Sequence, residues 1–498
     1  MVATVTRELV SVNPATLEPV GSVRRTEPGE LPGIVASARA AQERWRALGP
    51  AARARVLREA ARVVLAHADE IVDTIVAETA KPRTEAIANE LSAAVDHATW
   101  LAKHAPRVLA DERVRFSQLH LKTKNAWLLY EPLGVVAAIT PWNIPFGIPF
   151  CEAATVVSAG NGVVLKPSEL TPLSGEWVRR VLEEAGVPAG LVQVVHGEGP
   201  VGEALVGDAG IAKVFFTGSV SVGRRVAAAA GARGCPVVLE LGGKDPMVVF
   251  ADADLDRAVD GAVYASFLNA GQACVSAERI YVERAIYEEF AQRLSRRARE
   301  LRLGDEIGPL ISERQRDTVE RLTGAERPER DGWFLEPTVI REGLPDEEIF
   351  GPVVTVEPFD DEDEAVGRAN DTEFGLAASV WSRDLTKARR VSRRIEAGMV
   401  WVNDFGYSFS AGQAPWGGVK SSGFGRTSSK HGLYECVYVK YVDSDRGRLR
   451  PVWWFPYDVE TERALLASLD VLYGSGLRRW RAAWRHRKAL RHLVRRSR

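Results

Sequence analysis

Between residues 133 and 250 five short apolar runs recur, GVVAAI, GVVLKP, LVQVVHG, KVFFTG and PVVLELGG, each parted from the next by a segment with helical spacing. Strands that alternate with helices in this way are joined by crossovers and lie parallel, so the rhythm predicts βαβ units in an open, doubly wound sheet. The style returns in the second half. RIYVE, a helix over 285–302, VVTVEPF, a helix over 361–369, ASVWS, a helix over 384–396 and GMVWVN predict a second α/β domain. Ahead of both, apolar residues three and four apart predict helices over 31–47, 52–79 and 83–104. Residues 114–130 alternate through Val114, Phe116, Leu119 and Leu121, as a strand or ribbon would, and GLYECVYVKYV near 432–442 alternates too and could pair with it.

A chain of 498 residues has room for two or three such domains. Its start, MVATVTRELVSVNPATLEPVG, lacks an apolar core and a cleavage pattern, which argues against secretion. Four cysteines (151, 235, 274 and 436) are too few for a disulfide framework, so a reducing cytoplasm is expected. Pro132 to Leu165 carries one charge, Glu152, and is long enough to suggest a membrane span. Pro141, Pro145 and Pro149 instead read as a buried strand, a turn and a helix. The eight histidines show no ligand spacing with Cys or carboxylates, and no metal is expected.

Several segments can carry chemistry. Cys274 stands in FLNAGQACVSAERIYV, after small and amide-bearing residues that let backbone N–H groups approach a reacting centre. Its alternative is a small buried hydrophobe. Asn143, in the Pro-bounded TPWNIPF, is either a rigid amide donor or an ordinary turn residue. Lys166 follows a strand in LKPSE, where ligands meet parallel sheets. Gly218 and Ser219, in FTGSVSVG, join a strand to a helix start suited to a phosphate, or merely cap it. Glu240 ends an apolar strand in LELGGKDP. Burial there would raise its pKa toward that of a general base, unless backbone amides hold it as a structural carboxylate.

ELGGK at 240–244, FLNAGQACVSAERIYV at 267–282, EEIFGP at 347–352 and PWGGVKSSGFGR at 415–426 stand in an order that resembles the NAD(P)-dependent aldehyde dehydrogenase superfamily. The resemblance runs from NPATLEPVG near residue 13 to about Val442. It implies a dinucleotide-binding domain from 1–110 and 133–242, a catalytic domain from 243–427, and a ribbon from 111–132 and 428–445 that assembles dimers or tetramers. It implies that Cys274 attacks the aldehyde, that Asn143 and the Cys274 N–H stabilise the oxyanion, and that Glu240 activates water to release the acid from a thioester. Trp142, Lys166, Glu169, Gly218, Ser219, Glu348 and Phe350 would hold the cofactor. Glu169 would repel a 2′-phosphate, which favours NAD over NADP. Glu240 favours hydrolysis over transfer to coenzyme A, since acylating relatives typically lack this base. The rivals are a CoA-acylating or small-semialdehyde enzyme, and a catalytically silent membrane- or nucleic-acid-associated scaffold.

Aromatic walls at Phe146, Phe150, Trp401 and Phe409 would favour a hydrophobic aliphatic or aromatic aldehyde. Beyond Val442 the character changes. PVWWFPY precedes a helix that Asp458 could cap, with Leu465, Leu466, Leu469, Leu472 and Tyr473 on one face. A second helical segment after Gly474 carries ten Lys/Arg and no acid from Leu477 on, while the rest of the chain has 55 basic against 66 acidic residues. Three readings compete for this extension, 446–498: a helix packed on protein, peripheral attachment to an anionic membrane, and nucleic-acid binding, which no motif supports.

Overall fold

The computed structural model describes residues 8–117, 121, 123–341, 343, 345–406, 408, 411–445 and 450–497. It divides into two compact units, Met1–Leu109 with Pro132–Tyr438, and Ala110–Glu131 with Val439–Arg498.

The first unit holds two six-stranded sheets. In one, the order is Gly423–Phe424, Val237–Glu240, Ile211–Thr217, Val135–Ile139, Gly162–Lys166, Val192–Val194. The last five strands are parallel, and Gly423–Phe424 closes the edge antiparallel, with Gly423 opposite Glu240. Val135–Ile139 and Gly162–Lys166 are buried at every position, which is why they read as unbroken apolar runs. Leu31, Val35 and Ala38 of the helix Leu31–Arg46 pack on one face against Val135, Ala137 and Val164. From Val135–Ile139 the chain builds outward one way, then returns to build the other. The crevice outside the carboxyl ends of the strands at such a reversal is where parallel sheets take ligands. Thr140–Asn143, Lys166, Gly218 and Glu240 all lie at those ends.

The other sheet runs Thr338–Ile340, Val353–Phe359, Ala277–Glu283, Asp245–Val249, Ala377–Trp381, Met399–Val402, parallel throughout. Its residues alternate faces. Met247, Val249, Ile280 and Val282 join Phe290 and Leu294 in one core, and Val248, Tyr281 and Val380 join Phe359 and Val391 in the other.

Several elements differ from expectation. An antiparallel pair, Glu8–Val12 and Pro19–Arg24, precedes the first helix. The helix expected over 52–79 breaks at His67 into Pro50–Ala66 and Ala68–Thr79. Within 83–104 the chain winds through a π-helical turn, Ile87–Leu91, in which Glu90 is buried.

In the three-stranded sheet, Lys124–Pro132 lies between Glu112–Val114 and Val437–Asp445. Lys124 bridges Asp443 and Asp445 at 3.3 Å each. The first strand stops at Val114, short of the expected alternation; Leu119 of that alternation lies outside the described residues. Three helices follow in the second unit, Val459–Tyr473, Gly476–Arg485 and Arg487–Arg496; the single segment expected after Gly474 divides at His486. Asp458 caps the first of them, accepting from the Thr461 N–H at 2.6 Å. The expected leucine face is split: Leu465 and Leu472 are partly covered, while Leu466, Leu469 and Tyr473 are exposed. The fully buried positions are Thr461, Ala464 and Ala467, whose small side chains let neighbouring helices approach closely.

Candidate active site

Asn143 follows the strand Val135–Ile139 in a turn fixed by a buried ion pair. Lys81 donates to Glu90 at 2.8 Å and to the Asn143 carbonyl at 2.7 Å. The second Glu90 oxygen accepts from the Phe146 and Gly147 amides at 2.8 and 3.2 Å, where the next helix begins. The Asn143 side-chain N–H donates to the Gln272 carbonyl at 3.0 Å, and its Oδ1 is buried without a partner.

Cys274 is held by an unusual loop. Asn269, Ala270 and Gly271 all adopt left-handed backbone, with φ of 54°, 55° and 70°. Gln272 locks it, receiving the Ile311 N–H at 2.9 Å and donating to the Asn269 and Pro309 carbonyls at 3.0 and 3.2 Å. Glu85 accepts from the Asn269 N–H at 3.1 Å. A Cβ on Gly271 would lie 2.0 Å from the Gly351 carbonyl oxygen, so only glycine fits there. Burial pushes the Cys274 thiol up, and Asp245, Glu348 and Glu240 push it further.

Glu240 ends the strand Val237–Glu240, 3% exposed, and neither carboxylate oxygen has a hydrogen-bond partner. Burial raises its pKa well above the ordinary carboxylate range; the Arg426 guanidinium opposes this, and Glu152 and Glu435 add to it. The alternative of a carboxylate tied down by amides is therefore not what the structure contains. The two glycines that follow keep the space open. A Cβ on Gly242 would meet a Glu348 carboxylate oxygen at 2.2 Å, and one on Gly243 the Cys274 carbonyl oxygen at 2.5 Å.

Asn143, Glu240 and Cys274 meet in one cavity of about 120 Å³, walled by Ile144, Ile148, Leu268 and Trp416 among others. The remaining candidates lie around the sheet ends. Lys166 is buried and 3.7 Å from Glu169. Gly218 donates its N–H to the Glu240 carbonyl, and Ser219 precedes the helix Val220–Ala232 without capping it. Glu348 accepts from the Gly243 N–H at 3.1 Å, and burial lifts its pKa to about 8. Phe350 meets Trp142 edge to face, centroids 5.5 Å apart. A second buried pair supports this group. Lys244 donates to Glu278 and to the Glu347 carbonyl at 2.9 Å each, while Glu278 accepts from the Ile349 and Phe350 amides.

The sequence profile of the aldehyde dehydrogenase family matches residues 1–442. The chain belongs to the aldehyde dehydrogenase family. It is 38% identical over 454 residues to the betaine aldehyde dehydrogenase of Cereibacter sphaeroides, covering 86% of this chain and 92% of the relative. Betaine aldehyde dehydrogenase 1 of Rhizobium meliloti is likewise 38% identical, over 87% and 93% of the two chains. Among solved structures, the NAD+ complex of Staphylococcus aureus betaine aldehyde dehydrogenase superposes with a TM-score of 0.85 at 33% identity, over 91% and 94% of the chains. The NAD+ complex of an aldehyde dehydrogenase from Bacillus cereus gives 0.84 at 33%, over 88% and 93%. Oxidation of an aldehyde is thus the reaction class of this aldehyde dehydrogenase.

Three of the expected aromatic walls, Phe146, Phe150 and Trp401, do not line the cavity. Phe146 and Phe150 are fully buried and stack on each other at 5.4 Å, away from the cavity lining. Trp401 packs on Phe405 outside that lining, and Phe409 lies outside the described residues. The aldehyde dehydrogenase cavity takes Trp416 instead, and a second acid, Glu152, which accepts from the Thr217 hydroxyl at 3.0 Å. Thr217 is the register partner of Glu240 on the neighbouring strand. Burial lifts Glu152 to about 8. The signal for it was present in the sequence as the single charge between Pro132 and Leu165.

Proposed function

We propose that Cys274, Asn143 and Glu240 carry the oxidation of an aldehyde to its carboxylic acid with NAD as hydride acceptor. One observation supports this most: an unpartnered buried carboxylate, Glu240, shares a small cavity with the Cys274 thiol. The surroundings fit NAD. The helix Val220–Ala232 starts at the carboxyl end of a parallel strand with no side chain on its first amides, which leaves them for a pyrophosphate. Lys166 and Glu169 stand at the end of Gly162–Lys166, two strands along the sheet, for a ribose, with Glu348 and Phe350 for the nicotinamide half.

Glu240, with both oxygens unengaged, takes the thiol proton, and Cys274 Sγ bonds to the aldehyde carbon as a thiohemiacetal. One hydrogen of the Asn143 amide is spent on Gln272, which orients the group; the other is left, with the Cys274 N–H, for the oxyanion. Bound NAD supplies the acceptor for the hydride. Glu240 releases the thiol proton to solvent and then takes a proton from water, whose oxygen adds to the thioester carbon; the carbon–sulfur bond breaks, the acid leaves, and Glu240 returns its proton to the Cys274 sulfur.

The substrate we propose is an uncharged, apolar aldehyde. Ile144, Ile148, Leu268, Val275, Leu376 and Trp416 line the cavity. The relatives are named for betaine aldehyde, yet a quaternary ammonium group is ordinarily boxed by several aromatic faces. The described lining offers one indole, Trp416. NADH formation with aliphatic aldehydes of graded length, against betaine aldehyde and a carboxylated semialdehyde, tests the reading, and a preference for either charged compound overturns it. Product analysis with and without coenzyme A separates hydrolysis from acyl transfer. The three-stranded sheet leaves strand edges for a homodimer or homotetramer, which light scattering would size.

A further inference from the structure

Residues 443–498 lie beyond the family profile, and none of the described ones is among the residues that line the active-site cavity. A helix on a folded protein ordinarily turns its large apolar residues inward. In the last helix of this tail, Arg487–Arg496, Leu493 does turn inward, but in the two helices before it the order is reversed. Val459–Tyr473 packs on the two helices after it, and its buried positions are Thr461, Ala464 and Ala467. In Gly476–Arg485 it is Ala482 and Ala483 that are partly covered. Leu477, Trp480 and Trp484, which form one stripe at spacings of three and four, are 75%, 75% and 73% exposed. Phe455 and Tyr457, shortly before these helices, are also exposed.

Charge narrows what can cover this stripe. From Leu477 on, the chain has ten Lys/Arg and no acid. Arg478, Arg481 and Arg485 flank the tryptophans on the same helix, all exposed. A second copy of the same stripe would bring like charges together. A bilayer carrying anionic lipid matches both features at once, since indoles settle at the headgroup boundary and guanidinium groups pair with phosphates. Asp443 and Asp445 are paired with Lys124 on the ribbon, and the acids after residue 450 lie on the preceding helix and its cap. Asp458 is bound to Arg496 at 3.0 Å, Glu460 lies 3.7 Å from His492 and Asp470 lies 3.5 Å from His486, so three of these four acids stand beside a basic side chain and Glu462 stands one turn before Leu466. No helix among the described residues is long and apolar enough to cross a membrane, so contact would be at the surface.

We propose that this tail docks the enzyme on an anionic lipid bilayer, with Leu477, Trp480 and Trp484 in the headgroup boundary and the surrounding arginines on lipid phosphates. The inference is independent of the substrate reading. Sedimentation of the full chain with phosphatidylcholine vesicles, with and without one quarter phosphatidylglycerol, tests it. Binding is expected only with phosphatidylglycerol, and about 0.5 M salt should release it. Trp480→Ala with Trp484→Ala, and separately Arg478→Gln with Arg481→Gln and Arg485→Gln, should each weaken binding about tenfold or more while aldehyde oxidation in solution is unchanged. Equal binding to both vesicles, binding to neither, or a tryptophan variant that alters the mass of the oligomer but not vesicle binding would overturn it; the last outcome would make the stripe a subunit contact.

Discussion

Lys81 donates to the backbone carbonyl of Asn143 at 2.7 Å from a position 62 residues earlier in the chain. The same ammonium is paired with Glu90, so the turn bearing the proposed oxyanion donor is anchored to a buried ion pair rather than to the sheet alone. Asn143 then reaches across to the Gln272 carbonyl in the loop that carries Cys274.

Asn143→Ala should therefore lower kcat by about a hundredfold to a thousandfold, the usual result of removing one oxyanion donor. Cys274→Ala should remove turnover altogether while leaving NAD binding measurable by fluorescence. Full aldehyde oxidation by Cys274→Ala would refute the mechanism.

The two buried carboxyls of the cavity make a pH prediction. Glu240 must be ionised to act as base, and its pKa is raised, so kcat/KM should climb with pH beyond the ordinary carboxylate range. Glu152, itself lifted to about 8, raises Glu240 further once it is ionised. Glu152→Gln removes that charge and should move the part of the rising limb above about pH 8 to lower pH. An unmoved limb would show that the two acids do not interact.

Lys244→Met strands Glu278 in the interior. Removing one partner of a buried pair costs about 3–5 kcal/mol, which should appear as a lower midpoint in thermal melting. Since Glu278 also holds the Ile349 and Phe350 amides, NAD should bind more weakly in the variant than in the parent at a temperature where both are folded.

Glu169 lies 3.7 Å from Lys166 and its side chain is 40% exposed, free to meet a ribose hydroxyl. The enzyme should use NAD in preference to NADP by kcat/KM. Glu169→Gln should narrow that ratio, by losing affinity for NAD and repulsion toward NADP. A ratio unchanged by Glu169→Gln would place cofactor choice elsewhere.

The strands were legible because burial on both faces leaves a strand few polar positions, as Val135–Ile139 and Gly162–Lys166 show. Cys274, Asn143 and Glu240 could be singled out because each stands in a short segment with a recognisable resemblance. Lys81, Glu90 and Glu278 could not. Their importance lies in partners up to 72 residues away, and nothing local distinguishes a buried Lys or Glu from a solvated one. The tail failed for a different reason. Periodicity reveals that a helix has an apolar stripe, but the side that faces protein depends on what packs there, and alanines took that side.

The raised Cys274 thiol has a consequence for how the protein ages. Peroxide and alkylating agents attack the thiolate. Burial and three nearby carboxyls favour the protonated form of this sulfur, so the idle enzyme should react slowly at the atom on which the proposed mechanism depends. Its lifetime under oxidant should then follow how often it is at work, with iodoacetamide inactivating the resting enzyme slowly at neutral pH and faster as pH rises.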